Sequence, residues 1–138
     1  MSTTASMPAA IRRWHEIAEA RDIAGLEALL TEDAVFESPV VHTPQAGRPI
    51  VLRYLSAAFD VLNNEHFRYP NAWYGERSAI LEFVTEVDGI TVNGIDMITW
   101  DGDNRIVHFK VMVRPLKAIT ILHEKMRERL MAMAGKAG

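Results

Sequence analysis

Asp96 falls in the middle of a period-two run, Ile90 to Trp100, whose other residues of the same parity include Val92, Ile98 and Trp100. A lone ionised carboxyl on such a face costs several kcal/mol, so Asp96 must be either protonated or hydrogen-bonded. As a neutral acid it can donate a hydrogen bond to a ligand oxygen. As a structural group it would hold a neighbouring backbone or polar side chain instead. The pattern alone leaves both roles open. His42 shares parity with Ser38 and lies just beyond Pro39, where a strand opens into a loop. It either leans into the interior as an acid–base partner of Asp96 or is a half-exposed loop histidine. Tyr54 and Tyr74 offer phenol donors to a pocket, or sit at its rim with their hydroxyls in water.

Turn chemistry decides what surrounds Asp96. Asp88-Gly89 is a two-residue hairpin signal, because both central positions need φ > 0. It sets Val87 opposite Ile90 and therefore Leu81 opposite Asp96. Asp101 to Asn104 reads as a four-residue loop, which sets Trp100 opposite Arg105 and Phe109 opposite Asp96. The Asp96 face then carries Leu81, Phe83, Val107, Phe109 and Val111, all apolar. The other face mixes Ile80, Val84, Ile95, Met97 and Met112 with Glu82, Glu86, His108 and Lys110. That aliphatic patch is larger than a monomer leaves wet, so a homodimer through this face is expected.

The elements that must position these residues follow in order. An amphipathic helix from about Ala9 to Ala20 carries Ile11, Trp14 and Ile17. Asp22 is suited to cap a short second helix, Ile23 to Leu30. Ala34 to Ser38 reads as a strand closed by Pro39, and Val41 to Pro49 as a loop. A third helix runs to about Leu62. The period then changes to two, with strands at Phe67 to Tyr74, Ser78 to Val87, Ile90 to Trp100 and Arg105 to Val113. After Pro115, residues 116–134 read as a C-terminal helix. The fold class is α+β: a curved, mixed or antiparallel sheet with N-terminal helices over its concave face. The small polar stretch Met1 to Pro8 is expected to fray.

Composition excludes several function classes. The chain has no cysteine, so thiolate nucleophiles, disulfides and cysteine-based metal sites are ruled out. Net charge is −3, from 15 basic and 18 acidic residues spread along the chain, which offers no footprint for nucleic acid or an anionic membrane. No apolar run approaches the ~20 residues of a membrane span, and the first residues lack a secretory pattern. A cytoplasmic protein is expected. His15-Glu16 and His123-Glu124 lack a second histidine four residues on, so no metal site is expected. There is no Gly-rich phosphate loop, and no cofactor is called for.

Four stretches resemble the nuclear transport factor 2-like superfamily, in its SnoaL-like and ketosteroid isomerase-like branches. They are Ile17 to Leu30, Asp33 to Pro39, Gly47-Arg48, and Gly94-Ile95-Asp96 running to Val107. The resemblance covers about residues 9–115 of a single SnoaL-like domain, 1–138. It implies a cone-shaped sheet with an apolar pocket. Ketosteroid isomerases use a general-base Asp, a Tyr and a protonated Asp, and the protonated Asp is a known example of a carboxylic acid kept neutral by an apolar site. By position these fall on Ser38, Trp14 and Asp96. Ser38 cannot shuttle a proton as a carboxylate does, and Trp14 has an N–H but no ionisable hydroxyl. SnoaL-like polyketide cyclases rely on a single acidic residue, a demand Asp96 alone meets.

The expected function is a cofactor-independent isomerase, cyclase or lyase acting on a hydrophobic carbonyl compound. Asp96 and His42 would carry the chemistry, with Trp14, Ser38, Tyr54, Leu81, Phe83, Phe109 and Val111 around the ligand. Two alternatives stand beside it: a non-catalytic binder of such a compound, and a dimeric interaction module whose cone is filled by its own side chains.

Overall fold

The structure is a computed structural model that describes residues 7–137; most of the segment expected to fray, residues 1–6, lies outside the described residues. Helix α1 spans Ala9–Ala20 and ends on Arg21 in the left-handed region, φ 52°. Asp22 then caps α2, Ile23–Leu29, by accepting a hydrogen bond from the Gly25 amide at 2.9 Å. Strand β1 is Leu30–Glu37, and a two-residue β2, Gln45–Ala46, lies inside the stretch expected to be loop. Helix α3, Arg48–Leu62, starts after Gly47 at φ 108°, a conformation that needs glycine, with proline in its first turn.

Four strands and a helix complete the chain: β3 Arg68–Tyr74, β4 Ser78–Val87, β5 Ile90–Trp100, β6 Ile106–Arg114 and α4 Leu116–Ala137. The six strands form one sheet in the order β2-β1-β6-β5-β4-β3. All neighbours are antiparallel except β1 and β6, so the sheet is mixed. Helix α3 crosses β1 and β4, and α4 packs against α3 and over β4, β5 and β6. Cover therefore comes from both ends of the chain: Ala118 and Leu122 of α4 are buried in the same core as Ile11, Trp14 and Ile17 of α1. No helix is long and apolar enough to cross a membrane.

The Asp88-Gly89 turn has φ of 51° and 78° and locks β4 to β5 in the expected register, from Val87 opposite Ile90 to Leu81 opposite Asp96. The next register differs by two residues. Asp96 lies opposite Val111, not Phe109, and Ile98 takes Phe109. Two local features account for the shift. The loop is three residues long, because the Asp101 carboxylate accepts from the amides of Asp103 and Arg105 at 2.9 and 3.1 Å and draws the chain in. A bulge at Val107 then puts two β6 residues against one on β5, since Thr99 faces His108 while Trp100 faces Ile106. An even shift keeps every later side chain on its expected face, whereas Val107, expected inside, yields its place to fully buried Ile106.

Gly94 is a sequence requirement of this sheet. A Cβ there would meet the Phe83 ring at 2.5 Å and the Met112 carbonyl oxygen at 2.6 Å. The missing side chain lets Phe83 lie across β5 and stack on Phe67, ring centroids 5.5 Å apart. Those two rings form one wall of the interior beside Asp96.

Candidate functional site

Asp96 projects from the middle of β5 into the apolar interior and is 7% exposed. Its Oδ2 accepts a hydrogen bond from the Tyr69 hydroxyl at 2.7 Å. The Trp14 indole N–H donates in turn to the Tyr69 oxygen at 3.1 Å. The other carboxyl oxygen, Oδ1, makes no hydrogen bond among the described residues. Burial among aromatic rings disfavours the charged form and raises the Asp96 pKa to about 7, while the Tyr69 hydrogen bond pulls it down. Burial, and then the nearby Asp96 charge, push the Tyr69 phenol well above its ordinary value, so it stays a hydroxyl.

A local irregularity aims Tyr69. Between the pairs Arg68–Val84 and Asn71–Glu82, both Tyr69 and Pro70 oppose the single residue Phe83. Pro70 has no N–H to give a ladder and is tolerated because β3 is an edge strand. The bulge turns the phenol inward, as bulges beside functional sites do. Phe67 and Trp14 fix its ring: Phe67 stands edge-on to Tyr69 at 4.9 Å, and Trp14 packs on Phe109 at 4.9 Å and on Phe59 at 5.5 Å.

The interior of the cone holds two small cavities of about 30 Å³ each. The first is lined by Asp96, Tyr69, Trp14, Phe83, Phe109 and Val111, among others. Ser38, Val40, Leu122 and Met126 line the second, which shares Phe36, Ala58, Leu62 and Val111 as a common wall. Each space is about that of one water molecule. The helices therefore close the cone far more than an open steroid-sized pocket would require.

The expected site residues divide accordingly. Trp14, Phe83, Phe109 and Val111 meet Asp96 at the first cavity. Trp14 does not stand in for the missing tyrosine, because its N–H is committed to Tyr69, and it is Tyr69 that reaches the acid. Ser38 sits at the second cavity, where its Oγ accepts from the Val40 amide at 3.1 Å. Leu81 is fully buried but lines neither cavity. Tyr54, on α3, packs against Phe36 at 5.7 Å outside both. His42 is exposed and lines neither; its charge bears on Glu37, whose carboxylate hydrogen-bonds His108 at 2.6 Å on the other face of the sheet. Beyond Val40 the loop is exposed and His42 lines neither cavity, so His42 and Asp96 do not meet.

Tyr69 is the residue that sequence reasoning missed. The period-two spacing of Phe67 and Tyr69 carried the signal, but Pro70 and the bulge beside it obscure the alternation. Among the described residues no group of three His, Asp or Glu side chains is placed to hold a metal ion.

A family model described as the SnoaL-like domain matches residues 11–109, a span that runs from α1 through Asp96 to Phe109. The chain belongs to this family. SnoaL-like architecture is shared with solved structures at high similarity. A steroid delta-isomerase from Pseudomonas aeruginosa is 39% identical, with a TM-score of 0.87 over 98% of this chain and 97% of that one. An uncharacterised bacterial protein with a cystatin-like fold from Silicibacter pomeroyi DSS-3 is 31% identical, with a TM-score of 0.85 over 93% of this chain and 89% of that one. A ketosteroid isomerase-like fold from Catenulispora acidiphila, in complex with trimethylamine, is 14% identical with a TM-score of 0.62 over 82% of this chain and 90% of that one, and shares the fold. No curated protein matches the chain. For a SnoaL-like domain, the expected α+β cone and branch of the superfamily are both correct.

Proposed function

We propose that the protein binds the oxygen of a hydrophobic carbonyl compound at Asp96 and polarises that carbonyl without a cofactor. One observation carries this reading: a carboxyl in the apolar interior whose Oδ2 accepts from Tyr69 and whose Oδ1 has no partner among the described residues. Protonated on Oδ1, Asp96 donates into the cavity while Oδ2 keeps its bond from Tyr69. A preorganised donor in an apolar site stabilises negative charge on a carbonyl oxygen. The similarity to a steroid delta-isomerase supports a ketone as the substrate class. Tyr69 and Trp14 are positioning residues, since both hydrogen bonds point toward the acid and not the ligand.

The test is a melting-temperature survey with 2-cyclohexen-1-one, androst-5-ene-3,17-dione, nucleotides and sugar phosphates. Ketones should stabilise by mass action on the folded state, and the phosphorylated compounds should not. Stabilisation by phosphates would sink the reading. The small cavities favour a second one, an interaction module with a filled cone, and indifference to every ketone would leave that one standing.

We also propose that two copies pair through the outer face of the sheet. Met112 is 51% exposed there, beside a groove of about 270 Å³ whose lining includes Ile95, Met112, Val113 and Arg114. Glu82 in that groove is held by the side-chain amides of Asn71 and Asn93 at 2.8 and 3.0 Å, a fixed polar edge to the apolar patch. Light scattering at micromolar concentration should give twice the chain mass. A single-chain mass there removes the dimer.

A further inference from the structure

A cleft of about 410 Å³ opens between the second half of α1 and the start of β3, lined by His15, Ala18, Glu19, Asn63, Phe67, Arg68 and Tyr69. Three of these residues, Asn63, Phe67 and Tyr69, also line the cavity that contains Asp96. The outer cleft and the inner cavity thus share one wall, with the Tyr69 ring between them. His15 stands edge-on to that ring at 5.2 Å. The two spaces differ in kind. The inner one takes a group the size of a carbonyl oxygen, whereas the outer one has the volume of ordinary small-molecule sites.

We propose that this cleft is the mouth and outer subsite of the Asp96 site: the ligand's carbonyl enters past Tyr69, and its body stays in the cleft with a second oxygen function against His15. The inference rests on the carbonyl reading of Asp96 and adds where the rest of the molecule lies. The ligand class is a ketone carrying a further hydroxyl, keto or ester oxygen on its carbon skeleton. The imidazole of His15 makes no hydrogen bond among the described residues. Partial burial lowers its pKa, against the opposing influence of Glu19, so the neutral ring presents one donor and one acceptor. Asn63 adds an amide, and Arg68 has no ion pair within bonding distance among the described residues. Ala18 and the Phe67 and Tyr69 rings supply apolar contact. This mixture suits an oxygenated skeleton better than a plain hydrocarbon.

Two probes separate the inner from the outer contacts. 2-Cyclohexen-1-one is little more than the carbonyl head, and androst-5-ene-3,17-dione carries a body with a second ketone. Dissociation constants are measured by calorimetry for the parent protein, His15→Ala, the plugging variant Glu19→Trp, and Val40→Trp, which obstructs the far cavity instead. Expected is a loss of about tenfold for the dione in both cleft variants. 2-Cyclohexen-1-one should bind His15→Ala as it binds the parent, and Val40→Trp should bind both normally. His15 is half-buried and Glu19 exposed, so both variants should fold, which circular dichroism checks. If Val40→Trp weakens the dione and the cleft variants do not, the mouth lies at α4 and the inference is overturned while the Asp96 reading stands. Equal loss of both probes in His15→Ala means His15 only holds Tyr69 in place, which also overturns the subsite. If neither ketone binds the parent protein, both readings fall together.

Discussion

Asp96→Asn is expected to make the protein more stable than the parent above about pH 8, by about 2–4 kcal/mol, and to make little difference near pH 4. The Asp96 pKa rises from the ordinary carboxyl value of 3.8 to about 7, with burial as the main cause. Because the folded value lies above the unfolded one, the carboxyl's contribution is fully favourable below the unfolded pKa. It is lost as pH rises toward and through the folded value, where the interior must hold an ionised carboxylate. Each unit corresponds to about 1.4 kcal/mol, so the penalty is on the order of 4 kcal/mol. Asn keeps the size and still accepts from Tyr69, but has no charge to desolvate. Urea titrations from about pH 4 to about pH 9 should show parent stability falling through this window relative to a flatter Asp96→Asn curve. Parallel curves would mean that Asp96 is not desolvated. The same variant should lose ketone affinity at about pH 5, so stability and function would move in opposite directions at one residue.

Tyr69→Phe should behave in the reverse sense. The phenol stabilises the charged form of Asp96, and its loss leaves a buried carboxylate with no partner among the described residues. A hydrogen bond to a charged group contributes about 1.5–3 kcal/mol, and a neutral one about 0.5–1.5. The variant should therefore be destabilised more at about pH 9 than at about pH 5. Trp14 would also lose the acceptor of its indole N–H. Ketone binding at about pH 5 should weaken by roughly tenfold, as the acid loses the contact that orients it. A cost that does not change with pH would show that the phenol fills space and does not govern the acid.

The legible parts of this protein were those that local chemistry specifies. Asp88-Gly89 determined a hairpin and ten cross-strand pairs, which put Asp96 among apolar side chains. Asp22 capped its helix as its residue type suggests. What escaped depended on irregularities that no residue type announces. The tightened loop and the Val107 bulge together moved β6 by two residues, and the β3 bulge at Tyr69-Pro70 turned a phenol toward the acid. Carrying the tyrosine's position over from the resemblance pointed to Trp14 on α1, whereas the tyrosine that hydrogen-bonds the acid is Tyr69 on β3, next to Trp14. Of the two places open to His42 the structure shows the exposed loop, because parity along a strand says nothing once the chain leaves the strand. The degree of closure was also invisible, since it follows from how α4 folds back over the sheet and not from the pattern of any one element.

The most direct test of the account is the carbon-13 titration of the Asp96 carboxyl, with Asp96→Asn used to assign the resonance. The carboxyl is predicted to titrate with a midpoint near 7, and to move higher in Tyr69→Phe, because the phenol's hydrogen bond lowers it. A midpoint at or below the ~3.9 of a free aspartate would mean a well-solvated or structurally paired carboxylate, and Asp96 would have no proton to offer a ligand at neutral pH.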